Sequence, residues 1–159
     1  MNILKKAKFF LVALSVFLYI IPNSWAKDYQ NGSILVETPW SRATPQGAKV
    51  AGGYMHIYNK GHEEDALVSV SSPLTPKIEI HEMKVENNVM KMRKLDAPLK
   101  IAANSDIEFK PGSYHIMFMD LKSPLKQGDI IPAKLHFSKS PDIDIEFVVE
   151  KLGATKPTK

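Results

Sequence analysis

The sequence predicts an all-β domain, arranged as a Greek-key barrel or sandwich. Three observations favour this class: short apolar segments recur, turn residues such as Gly, Pro and Asn separate them, and no segment shows convincing helical periodicity. Residues 39–45, with a proline at each end, are predicted to form a loop after the first strand. The predicted strands are 33–38, 52–59, 66–70, the hairpin 77–93, 106–110, 114–121, 134–137 and 143–150.

Residues 1–26 have the pattern of a cleavable secretory signal. Three lysines precede an apolar run from 9 to 21, and the small residues Ser24 and Ala26 form a cleavage site. The apolar run is too short for a lasting transmembrane helix, and no cysteine follows it to carry a lipid. We therefore predict an exported protein with no stable membrane anchor after cleavage.

The composition limits the functions open to the chain. All 17 acidic residues follow residue 26, whereas three of the 21 lysines and arginines precede it, so the mature chain is close to neutral. It lacks the basic field of a nucleic-acid-binding protein. The absence of cysteine excludes disulfides, thiolate chemistry and a blue-copper site. The predicted organisation is one domain over 27–159 with a short disordered tail from about 153.

Two His-x-Met motifs carry the most unusual chemistry of the sequence. Because side chains alternate between the faces of a strand, Phe118 lies on a core face while His115 and Met117 share the opposite face. His81 and Met83 repeat this pattern in the predicted hairpin. The sequence therefore predicts a face on which imidazoles and thioethers are gathered.

The predicted hairpin has a turn that defines which residues face each other. Asn87-Asn88 suits a two-residue turn, because asparagine tolerates positive φ. This register places Met83 opposite Met92, and it puts Met90 and His81 on the same face, whereas a longer turn would shift the pairing but keep the cluster. Opposed Cβ atoms lie about 4.5 to 5.5 Å apart, so these long side chains are within reach of one another.

The donor atoms of this cluster indicate a particular metal. Thioethers are soft neutral ligands and imidazole is borderline, so a Met and His site without carboxylate or thiolate selects Cu(I), with Ag(I) as a mimic, over Zn, Ca or Mg. Neutral ligands also leave a monovalent ion exchangeable. The pattern is thus typical of a site that passes its ion to a partner.

Two other classes of function compete with metal binding. An exported enzyme would use His115 with Asp120, or His62 with its acidic neighbours, for acid–base chemistry, but no Gly-x-Ser-x-Gly motif accompanies them. A metal-free β-sandwich used for adhesion would leave the His and Met cluster dispensable. The remaining histidines, His56, His62 and His136, are interpreted as structural or solvent-facing.

Three segments carry a resemblance to a known family. They are PWSRATPQGAKVAGGYMHIYN, IEIHEMKVENNVMKMRK and FKPGSYHIMFMDLK, and together they closely resemble the periplasmic copper chaperone family of the PCu(A)C type. The family's metal motif is a His, then a Met, then a His-x-Met. Here His81 is followed by Met92 after ten intervening residues, and His115-Ile116-Met117 follows after another 22.

The resemblance implies a cupredoxin-like β-barrel that is a metal carrier, not an enzyme. It implies one Cu(I) per chain, held by His81, Met92, His115 and Met117, with Met83 and Met90 as possible additional sulfurs. Which Met joins Met117 stays open. No Met or His occurs in 153–159, so no second Cu(II) site is expected there.

The resemblance also implies a place of action and a set of partners. The protein is expected in the bacterial periplasm as a monomer. Its expected partner is a copper-accepting protein, either cytochrome c oxidase subunit II, which holds a dinuclear copper centre, or a thiol-containing copper assembly factor. Copper buffering or resistance is the alternative role, since both roles need the same site.

Overall fold

The computed structural model describes residues 27–158, and within that range the chain has eleven strands and no helix. The predicted all-β class is therefore confirmed. The predicted signal at 1–26 lies outside the described residues. The strands are β1 (Tyr29–Asn31), β2 (Ile34–Arg42), β3 (Val50–Asn59), β4 (Asp65–Ser71), β5 (Ile78–Glu86), β6 (Val89–Lys94), β7 (Leu99–Ile101), β8 (Ser105–Phe109), β9 (His115–Met119), β10 (Ile130–Phe137) and β11 (Ile143–Glu150).

All strands belong to one hydrogen-bonded sheet. Its order is β6-β5-β9-β3-β2-β11-β10-β4-β7, with β1 paired to β2 and β8 paired to β3. Inward-facing side chains from both halves of this order form one apolar core, in which Phe109, Phe118 and Phe147 are fully buried. Phe118 and Phe147 meet edge to face with ring centroids 5.5 Å apart, a favoured aromatic geometry.

The first predicted loop is wrong over 39–42, because β2 continues to Arg42, whereas 43–45 lie outside the strands. Thr38 has a φ of 51°, and the register with β3 shifts between Glu37 and Trp40, which marks a β-bulge. Proline is tolerated in a sheet at such a bulge, so Pro39 does not end the strand. Beyond the bulge, Trp40 pairs with β11 in parallel.

The predicted turn between β5 and β6 is confirmed. Asn87 and Asn88 have φ values of 53° and 61°, as a two-residue hairpin turn with two positive φ angles requires. Met83 lies opposite Met92 and Val85 opposite Met90, as the predicted register demands.

The inner neighbour of β5 is β9, and this pairing could not be read from local sequence. Ile80 opposes Ile116 on the core face, while His81 opposes His115 on the outer face. On its other side β9 pairs with β3, where Gly53 allows a close approach. A Cβ atom at Gly53 would lie 2.9 Å from the ring of Phe118, so a larger residue there would displace β9.

Two residues of the segment from about 153, for which a disordered tail is predicted, contact the rest of the domain. Ala154 is buried in a small cluster with Trp40 and Tyr54. The backbone N–H and the hydroxyl of Thr158 each donate a hydrogen bond to the buried carboxylate of Glu150, at 2.8 Å. The segment therefore supplies hydrogen-bond donors to Glu150 and an apolar contact to the aromatic pair.

Asp65 ties the loop after β10 to the start of β4. Its buried carboxylate accepts hydrogen bonds from the backbone N–H groups of Ala66 at 2.7 Å and of Lys139 and Ser140 at 2.9 Å each. Burial alone acts to raise the pKa of Asp65, but these hydrogen bonds outweigh it and lower the pKa below its ordinary value.

Replacing Asp65 by Ala is expected to lower the free energy of unfolding at pH 7 by about 2 kcal/mol or more, since each buried donor left unsatisfied costs about 1–3 kcal/mol. The folded-state pKa is depressed, so this stabilisation is present above the unfolded pKa of about 3.9 and is lost as pH falls through the folded pKa. Urea unfolding at pH 7 and at pH 3 measures both effects. A difference between wild type and variant that does not shrink in acid would contradict this account, and exposed Glu64→Ala is the control.

Candidate metal centre

The predicted His and Met cluster lies on the outer face of β6, β5 and β9. Met92 on β6 opposes Met83 on β5, and His81 on β5 opposes His115 on β9. Met117 follows on the same face of β9, because it is two residues beyond His115. The structure thus brings the motif residues from three strands onto one surface.

The two histidines form the inner part of the cluster. His81 is 8% exposed and His115 is 7% exposed, and their ring centroids are 5.6 Å apart. Nδ1 of His81 is buried and has no hydrogen-bond partner. A buried ring nitrogen without a partner is costly unless it carries a lone pair aimed at a ligand.

Met92 supplies a sulfur atom next to this pair. Its Sδ lies 3.3 Å from Nε2 of His115, although β5 separates the two strands. Nitrogen and sulfur ligands of one tetrahedral metal, at metal distances of about 2.0 and 2.3 Å, lie about 3.5 Å apart. The two donor atoms are therefore already at the separation that a shared metal ion needs.

The other candidate sulfurs differ in their placement. Met117 is partly buried, and it is paired with Gly52 on β3 and with Glu79 on β5. Met83 is partly buried beside Met92, and Met90 is 57% exposed toward the tip of the hairpin. The geometry therefore favours Met92 over Met83 and Met90 as the sulfur beside the histidines.

Glu79 is the part of the cluster that sequence reasoning missed. We predicted a face without carboxylates, but Oε2 of Glu79 lies 2.8 Å from Nε2 of His81. Its other oxygen accepts a hydrogen bond from Lys94 at 3.3 Å. The hydrogen bond from His81 lowers the pKa of Glu79, and Lys94 lowers it further, whereas burial has a smaller effect that raises it. The side chain of Glu79 is therefore ionised at neutral pH. Its position two residues before His81 on the same strand was the available signal.

His115 is held as a neutral imidazole. Burial lowers its pKa below the ordinary value, a hydrogen bond to the carbonyl of Ser113 acts in the opposite direction, and the nearby His81 lowers the pKa further. Its Nδ1 is 3.1 Å from that carbonyl oxygen. Because a metal ligand must be deprotonated, a depressed pKa keeps a nitrogen lone pair available down to lower pH.

The remaining histidines lie away from the cluster. His56 bonds Asp106 at 2.6 Å and the hydroxyl of Tyr58 at 2.8 Å. His136 bonds Ser71 and Asp142, each at 2.9 Å. These contacts agree with the structural role predicted for both residues.

Hard-metal sites and substrate clefts do not coincide with the cluster. Within 27–158 there is no group of three or more His, Cys, Asp and Glu side chains that could hold a metal ion. A groove of about 660 Å³ is lined in part by Tyr29, Pro132 and Ile145, and no residue of the cluster lines it. In the same range, no helix is both long and apolar enough to cross a membrane.

Comparisons with known proteins agree with this architecture. A family model described as "Putative lipoprotein LpqE-like" matches residues 34–149. Among curated relatives, "Uncharacterized protein RP573" of Rickettsia prowazekii (strain Madrid E) is 41% identical over 95 residues, which cover 57% of this chain and 52% of the relative. The chain thus spans about half the length of that relative.

Solved structures give the fold. A structure titled "apo PmoF2 PCuAC domain" matches with a TM-score of 0.70 and 25% identity, over 82% of this chain and 100% of that one. A second, titled "Copper-bound PCuAC domain from PmoF2", matches with a TM-score of 0.67 and 25% identity, over 79% and 98%. The family match runs from β2 into β11, and the chain therefore belongs to the LpqE-like family and has the cupredoxin-like β fold of PCuAC domains.

Proposed function

We propose that this protein is an exported copper chaperone that binds one Cu(I) ion through His81, Met92, His115 and Met117. The observation that carries the proposal is the 3.3 Å separation between Met92 Sδ and His115 Nε2, beside the unpartnered Nδ1 of His81. Two neutral nitrogens and two thioether sulfurs are the donor set that Cu(I) prefers. A copper-bound PCuAC domain among the structural relatives supports the choice of metal.

Glu79 does not change this preference. Both of its oxygens are engaged, one by His81 and the other by Lys94, so the carboxylate acts behind the imidazole and not as a free hard ligand. A carboxylate bonded to a metal-ligating histidine is the usual arrangement around such ligands.

The exposure of the donors supports transfer over storage. The histidines are buried, whereas the side chain of Met92 is 50% exposed, so an incoming ligand can reach the ion from the β6 side. In the proposed reaction a partner's sulfur replaces the methionines and then the histidines, and the ion stays Cu(I) throughout. A thiolate site would accept the ion because thiolate binds Cu(I) more tightly than thioether does.

The proposed recipient is the dinuclear copper centre of cytochrome c oxidase subunit II, or a thiol-containing factor that assembles it. The lipoprotein description of the family supports export to the cell envelope, and we place this protein in the periplasm. No cysteine occurs in the 159 residues, so the protein does not compete with its recipient through thiols of its own.

An anaerobic titration of residues 27–159 with Cu(I), in competition with a colorimetric chelator, tests the proposal. We expect one tight equivalent per chain in the wild type and none in a His115→Ala/Met117→Ala double variant that still folds. Mixing the loaded protein with the soluble domain of subunit II should then move the copper to that domain. Failure of the wild type to compete would refute copper binding, and retention of copper in the mixture would favour buffering.

A further inference from the structure

The two histidines of the site face the cluster with different ring nitrogens. His81 directs Nε2 to Glu79 and leaves Nδ1 buried without a partner. His115 directs Nδ1 to the carbonyl of Ser113 and leaves Nε2 beside Met92. The two residues are paired on adjacent strands, and each ring is held through a different nitrogen, Nε2 in His81 and Nδ1 in His115.

The hydrogen-bond chemistry defines the proton on each ring. An ionised carboxylate can only accept, so a neutral His81 must carry its proton on Nε2 and hold its lone pair on Nδ1. A carbonyl also only accepts, so His115 carries its proton on Nδ1 and holds its lone pair on Nε2. A proton on Nδ1 of His81 would instead be a buried donor with no acceptor, which is unfavourable.

We propose that Glu79 is a positioning residue that holds His81 in the Nε2–H tautomer, so that Cu(I) is bound by Nδ1 of His81 and Nε2 of His115. The copper part of this inference rests on the proposed function, whereas the tautomer does not. The placement is specific to Glu79, since Glu82 on the opposite face of β5 bonds Arg93 instead.

Lys94 makes the role of Glu79 testable with an isosteric change. Its ammonium group donates to Oε1 of Glu79, and Lys94 lies directly opposite His81 in the hairpin. In a Glu79→Gln variant, Lys94 retains the amide oxygen and the amide NH2 therefore faces Nε2 of His81. Because that NH2 is a donor, His81 must present a lone pair there and move its proton to Nδ1.

The experiment reads the tautomers of the metal-free protein from long-range 1H–15N correlations of the imidazole rings at pH 7.5. We expect Nε2–H for His81 and Nδ1–H for His115 in the wild type and in the control Glu82→Gln. Glu79→Gln should show Nδ1–H for His81, with His115 unchanged. Glu79→Ala should show a mixture of the two forms for His81.

Copper affinity provides the second readout. Loss of a hydrogen-bond partner of a metal ligand typically lowers metal affinity about 10–100-fold. Glu79→Gln should therefore weaken Cu(I) binding by this amount, whereas Glu82→Gln should leave it unchanged. A wild-type His81 with its proton on Nδ1, or an unchanged tautomer in both Glu79 variants, would overturn the inference. Failure of the wild type to bind Cu(I) would refute the proposed function and the ligand assignment, but would leave the tautomer result standing.

Discussion

Replacing His115 by Ala is expected to weaken Cu(I) binding more than about 100-fold, because loss of a ligand should exceed the 10–100-fold cost of losing a ligand's hydrogen-bond partner. A factor of 100 corresponds to about 2.7 kcal/mol. The variant removes Nε2, which lies 3.3 Å from Met92 Sδ, and leaves one imidazole in the site. Competition with a Cu(I) chelator in the absence of oxygen measures the change.

A matched control separates the site from a general effect of removing imidazole. His62 is exposed in the loop before β4, and His62→Ala should bind Cu(I) as the wild type does. Circular dichroism should show that both variants keep the β fold. An affinity for the His115 variant within a factor of three of the wild type would remove His115 from the ligand set.

Replacing Phe118 by Ala is expected to lower the free energy of unfolding by about 3–5 kcal/mol, the usual cost of truncating a fully buried phenylalanine. Phe118 is completely buried, and it contacts the ring of Phe147 edge to face from the core face of β9, the strand that also carries His115. Gly53 on the neighbouring strand β3 packs close to the ring of Phe118. The cavity left by Ala can therefore collapse only in part.

Denaturant unfolding of residues 27–159 measures this loss. Val85→Ala is the control, because Val85 is 62% exposed near the tip of the hairpin and its truncation should change stability by less than about 0.5 kcal/mol. A loss below about 1.5 kcal/mol for Phe118→Ala would mean that the core behind β9 is not packed as described, since cavity formation alone should exceed that value.

Local patterns predicted the hairpin and the face of β9 correctly. Alternation in β9 separates buried Phe118 from His115 and Met117, since a strand has a period of two. The Asn87-Asn88 turn defined the register of the hairpin, because few residues accept two positive φ angles in succession. Each of these predictions depends on residues that are close together in the sequence.

Contacts between segments that are far apart in the sequence could not be predicted from local patterns. The pairing of His81 with His115 depends on β5 lying beside β9, which the topology decides. Pro39 was taken as a strand end because its tolerance depends on the bulge at Thr38. The contact of Ala154 with Trp40 also depends on the fold, since the polar composition of the segment from 153 does not reveal it.

Glu79 illustrates the same limit at the site itself. Its carboxylate has the sequence spacing of an outer-face residue, but its role depends on the rotamer of His81 and on Lys94 from the neighbouring strand. Both are properties of packing and not of spacing. The shared face of the His and Met side chains was predictable from the sequence, whereas the groups that orient the imidazole rings were not.

X-ray absorption at the copper edge of the protein loaded with one Cu(I) tests the central claim most directly. The proposed site should give a first shell of two nitrogen and two sulfur scatterers, at about 2.0 and 2.3 Å by analogy with other imidazole and sulfur sites. Replacing Met92 by Leu should remove one sulfur and leave both nitrogens. A first shell of nitrogen and oxygen without sulfur would contradict the proposed site.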